Sequence, residues 1–516
     1  MPTVNSKLCY ALGLLAALAA SPAAAQKMGG TLTVAFDNDT PIPDPTKAIS
    51  LSTHMALKNV CENLVNFDDD YKVIPQLAEK WVEEDGGKAY LFTLRKGVKF
   101  HNGKEMQAED VKYSLDRLRT VGSNRGDYEG ITAIDIQDPY TFRITLKQPS
   151  PVFLTSLAGP FGGYMIPKDL DQQQGGTIGK PVCTGPFEWA EWQPDRFLRL
   201  TKFKDYAPDT RFPGPTGLGG KRTAMVDQVM LRIITDRAAR VTALETGEVD
   251  FSSKLDISDY EKLQKNKAIQ GIETPVLEWV VLWLGVTLPT SNDLKFRQAV
   301  AAAIDYDEIV LAATDGHGVV NPAFMHPSQK IWRTEKTGQR HKKDLDLARK
   351  LLKESAYKGE TIELYSTKDL EYMANTALIL NQELNAIGLK TEIKFLDMTG
   401  LTATIYAKQP VYKLAVMSSS GRYDPDQHYY RRLHTGVAVN QYSNPAYDRI
   451  VEEARTTMDH DKRQALYDQA QQILMDDVPG IVLFNPSFFD ATRATVKGFK
   501  PTSMGILRFW DVWLDR

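Results

Sequence analysis

The sequence predicts an α/β protein of two or more lobes, and three observations carry that expectation. Stretches with apolar residues at every second position alternate along the chain with stretches whose apolar residues recur at helical spacing, which is the pattern of mixed α/β layers. At 516 residues the chain exceeds what one hydrophobic core accommodates. Its 42% hydrophobic and 25% charged content is that of an ordinary globular protein. A net charge of −3 spread over both signs offers no basic face for nucleic acid.

The first 25 residues, MPTVNSKLCYALGLLAALAASPAAA, hold one charge, Lys7, then an apolar run from Leu8 to Ala20 and a small-residue ending at Ala23, Ala24 and Ala25. That order is the plan of a secretory leader cut after Ala25; the run is too short to span a bilayer, which takes about 20 residues. Gln26, not cysteine, would follow the cut, so no lipid anchor is expected. Removing 25 residues from 516 leaves 491, and losing Lys7 takes the charge from −3 to −4. Cys9 leaves with the leader. Cys61 and Cys183 remain in an oxidising compartment, either as a disulfide or as two buried free thiols; spacing alone does not choose.

From Gly30, GTLTVAFDND reads as a strand, and AISLSTHMALKNVCENLV as a helix with Leu57, Val60, Cys61 and Leu64 on one face. YLFTLRKGVKFHNGKEMQAEDVKYSLDRLR reads as strand, glycine turn, strand, Asn-Gly turn and a helix beginning near Ala108. TFRITLKQPSPVFLTSL repeats strand then helix. Residues 205–222, DYAPDTRFPGPTGLGGKR, are dense in proline and glycine and read as a surface loop. A phosphate-binding loop fails there, because Pro215 takes the first glycine position and Arg222 follows Lys221. EWVVLWLGVT is a strand, DLKFRQAVAAAIDYDEIV a helix, and beyond them amphipathic helices alternate with the strands TIELYS, KTEIKFLDM and KLAVMSS. Gly388 is placed as a helix C-cap.

Enzyme constellations are missing from the sequence. No G-x-S-x-G or H-E-x-x-H occurs, and His428 and His434 stand six apart, on different faces of a helix. No metal site and no cofactor is expected.

Four spaced motifs carry a resemblance. YLFTLRKGVKFHNGKEMQAEDVKYSLDRL, PVCTGPFEWAEW, VTALETGEVDF and FRQAVAAAIDYDEIV follow in order the signature segments of the extracytoplasmic solute-binding proteins of dipeptide, oligopeptide and nickel importers, solute-binding protein family 5. The likeness runs from about Gly30 to Arg516. It implies a two-lobed periplasmic binding protein fold of type II, with an extra subdomain inserted in the first lobe. Carried onto this chain, lobe I is 27–65, 181–275 and 490–516, the inserted subdomain 66–180, and lobe II 276–489. The implied partners are a small solute and an inner-membrane ABC permease with its cytoplasmic ATPase; the receptor itself is expected in the periplasm, as a monomer.

The resemblance also frames the candidate site. In peptide-binding relatives the loop matching SSSGRYDPDQHYY carries an aspartate for the ligand's amino terminus, usually beside a tryptophan. Here the loop is Ser418, Ser419, Ser420, Gly421 and Arg422, which removes that handle. A guanidinium beside a helix N-terminus favours a carboxylate or phosphate, and small serines leave room. Arg422 is therefore read as a ligand contact, with pairing to Asp424 or Asp426 as the alternative. Asp424 is read first as an N-cap, Pro425 as N1. Trp279 and Trp283 share one strand face and are read either as cleft aromatics or as core. His54 is a weaker cleft candidate, a surface position being the other reading. The expected solute carries a carboxylate, as an opine, a modified amino acid or an atypical peptide would; an oligosaccharide receptor is the rival within the family, and a secreted hydrolase the rival outside it.

Overall fold

A computed structural model describes residues 27–409 and 411–516 of the chain, so the leader read at 1–25 lies outside the described residues. Two sheets share one long strand, Gly480–Arg493. Its first residues, 480–484, pair antiparallel with Trp279–Leu284, beyond which lie Leu414–Ser419, Ile362–Thr367 and Thr391–Leu396. Its last residues pair with Phe251–Leu255, which leads to Thr31–Phe36, Gln228–Ile233, Phe197–Lys202 and Phe187–Gln193. Thr31–Phe36 runs parallel to both neighbours and is buried at Leu32, Val34, Ala35 and Phe36 and half-buried at Thr33, as a central strand must be. A separate antiparallel sheet of Ala78–Glu84, Ala89–Leu94, Thr141–Leu146 and Ile131–Asp138 forms a smaller layer. Helix Ala108–Val121 buries Val111, Leu115 and Leu118 and carries its Asp110 back to the Gln107 N–H as part of a capping box.

Local chemistry explains most boundaries. Ser50 opens helix Leu51–Val60 by accepting the Thr53 N–H, and the helix ends at Cys61, which is bonded to Cys183. Of the two readings for the cysteines, the structure takes the disulfide. Gly388 adopts φ +92° just past helix Glu371–Ala386, a conformation that favours glycine.

Three expectations need correction. The segment read as one helix over 293–310 is two, Leu294–Ala303 and Tyr306–Thr314, because Asp305 caps a second start by accepting the Asp307 and Glu308 N–H groups. The second strand expected near Lys99 is an isolated bridge to Glu105. The proline-rich stretch 205–222 is not wholly superficial: Leu218 and Arg222 are fully buried, and the Arg222 guanidinium lies 4.4 Å from the Trp510 ring centroid.

Candidate functional site

A cavity of about 1200 Å³ opens between two walls. Ala48, Leu51, His54, Asp127 and Phe161 contribute to one; the other is built from Tyr406–Lys408, Ser420–Tyr423 and the stretch 431–443. The loop that follows strand Leu414–Ser419 and leads into helix Asp426–Leu433 places Ser420, Gly421 and Arg422 on the lining.

Arg422 is half-buried and donates from Nη1 to the Gly421 carbonyl at 2.8 Å and to Ser420 Oγ at 3.3 Å. Gln329 Nε2 holds its carbonyl at 3.1 Å. Burial, then the nearby charge of Arg432, pushes the guanidinium below its ordinary pKa. The two acids offered by sequence as its partners are engaged elsewhere. Arg463 grips both oxygens of Asp424 at 2.7 and 2.6 Å in the interior, and Arg455 meets Asp426 at 3.1 Å.

Asp424 accepts the Asp426 N–H at 2.9 Å, but Pro425, read as N1, is the N-cap of helix Asp426–Leu433 and Asp424 stands one residue before it; Asp424 is 2% exposed and does not line the cavity, so its place among ligand contacts is corrected. The tryptophans are corrected in the same way. Trp279 is fully buried, donates Nε1–H to the Ala323 carbonyl at 3.0 Å and packs against His428 with ring centroids 4.5 Å apart. Trp283 stacks on Phe324 at 6.0 Å and covers Gly480, where a Cβ would fall 2.9 Å from its ring. The reason is that strand Trp279–Leu284 is interior, with a neighbour on each side and both faces covered. His54 is no surface residue: it is 2% exposed at the cavity edge, with Nε2 3.1 Å from the Ala48 carbonyl and its ring edge on Phe161. Burial pushes its pKa down to about 4, so it stays neutral at pH 7.

Sequence reasoning passed over four lining residues. Arg431 Nη2 meets Asp127 Oδ1 at 2.6 Å and so joins the two walls. Arg432 donates from Nη1 to the Tyr406 hydroxyl at 2.6 Å and to Ser419 Oγ at 3.3 Å. The pair Arg431-Arg432 stood in plain view in HYYRRLH, where it reads as a basic last turn complementing the helix dipole. Asp127 and Tyr406 carried no local signal, being brought to the cavity only by the fold. Among the described lining residues, Asp127 is the one carboxylate against Arg422, Arg431, Arg432 and Lys408. Such a cavity attracts anions.

A wide, cation-lined cleft between α/β layers defines a solute-binding protein. The chain belongs to the bacterial extracellular solute-binding proteins, family 5, whose family model (the middle region) matches residues 72–441. It is 28% identical over 526 residues to the glutathione-binding protein GsiB of Salmonella paratyphi A, covering 96% of each chain. It is 27% identical to the dipeptide-binding protein of Escherichia coli K12 over 86% of each. The structure superposes on the ABC transporter substrate-binding protein CtaP of Listeria monocytogenes with a TM-score of 0.84 at 24% identity, covering 95% of this chain and 100% of that one. The two-lobed binding-protein fold expected from the sequence is thereby shown. Among the described residues no helix is long and apolar enough to cross a membrane.

Proposed function

We propose that the protein is the extracytoplasmic receptor of an ABC importer, capturing a small peptide-like solute that bears at least one carboxylate and passing it to a membrane permease driven by a cytoplasmic ATPase. One observation carries the reading: Arg422 lines the cavity with neither Asp424 nor Asp426 as a partner, so its charge is available to a ligand. The names of the relatives, glutathione-binding and dipeptide-binding, point to peptides with free carboxylates. The leader and the Cys61–Cys183 bond both suit a periplasmic location.

Capture is by closure and involves no chemistry. The lobes proposed for this chain are 27–65 with 181–275 and 490–516, carrying the insert 66–180, and 276–489. The shared strand Gly480–Arg493 supports a hinge between them, and a ligand touching both walls favours the closed form by its differential affinity. A hydrolase acting on sugars would need two carboxylates across the cleft, and Arg431 already holds Asp127. The indoles of Trp279 and Trp283, on which the oligosaccharide reading rested, are occupied in the core.

The test is calorimetry on residues 26–516 with peptides, opines and oligosaccharides after a thermal-shift screen; ligand at ~100 times its Kd raises stability by about 2.7 kcal/mol. Arg422→Ala should weaken a carboxylate ligand by about 2 to 5 kcal/mol. Affinity at the wild-type level in that variant would refute the assignment.

A further inference from the structure

We propose that the cavity holds a second anion subsite at Arg432 and that its solute carries two separate acidic groups, one held by Arg422 and the other by Arg432. This rests on the carboxylate reading above and extends it.

The lining cations are not equivalent. Arg431 is matched by Asp127 at 2.6 Å. Arg422 and Arg432 have no carboxylate within ion-pair distance among the described residues and are half-buried at the same cavity. Both make their side-chain hydrogen bonds from Nη1 alone, Arg422 to the Gly421 carbonyl and Ser420 Oγ, Arg432 to the Tyr406 hydroxyl and Ser419 Oγ. Each is thereby fixed in place while its Nε and Nη2 donors stay without a described acceptor. That leaves on each guanidinium the paired edge that grips a carboxylate through two parallel bonds.

Two like charges held this way repel one another; Arg432 is the largest charge pushing down the pKa of Arg422, and Arg431 adds to it. A carboxylate gripped through two parallel bonds by one guanidinium has both oxygens engaged there and leaves the other cation to a second group. A solute with two separated acidic groups answers both, and Tyr406 and Ser419 keep the second guanidinium positioned before the ligand arrives, which reduces the ordering loss on binding. Lys408 on the same wall adds to the attraction.

The experiment is calorimetric titration with glutathione, a diacid peptide, and with each of its two mono-amides, on the wild-type chain and on Arg422→Gln, Arg432→Gln and Arg432→Lys. The wild type should bind the diacid at least about tenfold more tightly than either mono-amide, the scale of one charge-assisted bidentate contact. In Arg432→Gln the diacid should weaken until one mono-amide binds as well as it does. Arg432→Lys should recover part of the difference, since it keeps the charge and loses the fork. Melting of the unliganded variants checks that they fold. Diacid affinity in Arg432→Gln within about twofold of wild type would overturn the subsite, leaving Arg432 as a brace for Tyr406. Failure of the wild-type chain to bind the diacid or either mono-amide would overturn the carboxylate reading itself, and this inference with it.

Discussion

Asp424 and Arg422 stand two residues apart and do opposite things. The aspartate is 2% exposed and held by both terminal nitrogens of Arg463, which itself sits at 2% exposure between Trp332 and Tyr467. A buried pair of this kind contributes little over an apolar substitute, but breaking it strands a charge. Asp424→Ala should therefore destabilise the protein by about 3 to 5 kcal/mol, measured as a drop in the urea midpoint. Arg422 faces the cavity, and its replacement should leave the midpoint almost unmoved while weakening ligand binding. Sequence offered both residues as candidates and could not assign them, because the partner that decides the matter, Arg463, lies 39 positions away.

At the scale of the element, strand Gly480–Arg493 carries a buried acid in the half that pairs with Phe251–Leu255. Asp490 accepts the Lys254 N–H at 3.2 Å, and burial pushes its pKa up to about 7 against an ordinary 3.8, with the Lys254 contacts pulling the other way. The folded chain thus holds this proton between about pH 3.8 and 7 while the unfolded chain has released it. Charging the group costs stability progressively as pH rises through that window, and the cost is level above it. Asp490→Asn keeps an acceptor for the Lys254 N–H and has nothing to ionise. The variant should gain in melting temperature over wild type from pH 4 to pH 7 and hold a constant lead at pH 8; a lead independent of pH would show that Asp490 ionises in the folded chain as it does in the unfolded one. Element type was legible where periodicity ran long, as in Ala108–Val121. It was not legible at Ile304 and Asp305, where a continuous apolar stripe hides a break that one capping side chain makes.

For the whole molecule the Cys61–Cys183 bond spans 122 residues and ties the end of helix Leu51–Val60 to the turn before strand Phe187–Gln193. In the chain-entropy account such a closure stabilises by about 4 to 5 kcal/mol. The double variant Cys61→Ala with Cys183→Ala should lose that amount in urea unfolding while keeping ligand affinity, since neither cysteine lines the cavity. The sequence by itself determined the α/β class, the family, the export leader as an expectation and the loop that bears Arg422, because each depends on short-range periodicity or on contiguous motifs. Only the tertiary structure decided what the loop faces. It buried Trp279 and Trp283 in an interior strand, paired the cysteines, gave Asp424 to Arg463, and brought Asp127 across the cleft to Arg431 from 304 residues away. A binding site is a convergence of distant segments, and its charge balance depends on which side chains the fold has already paired.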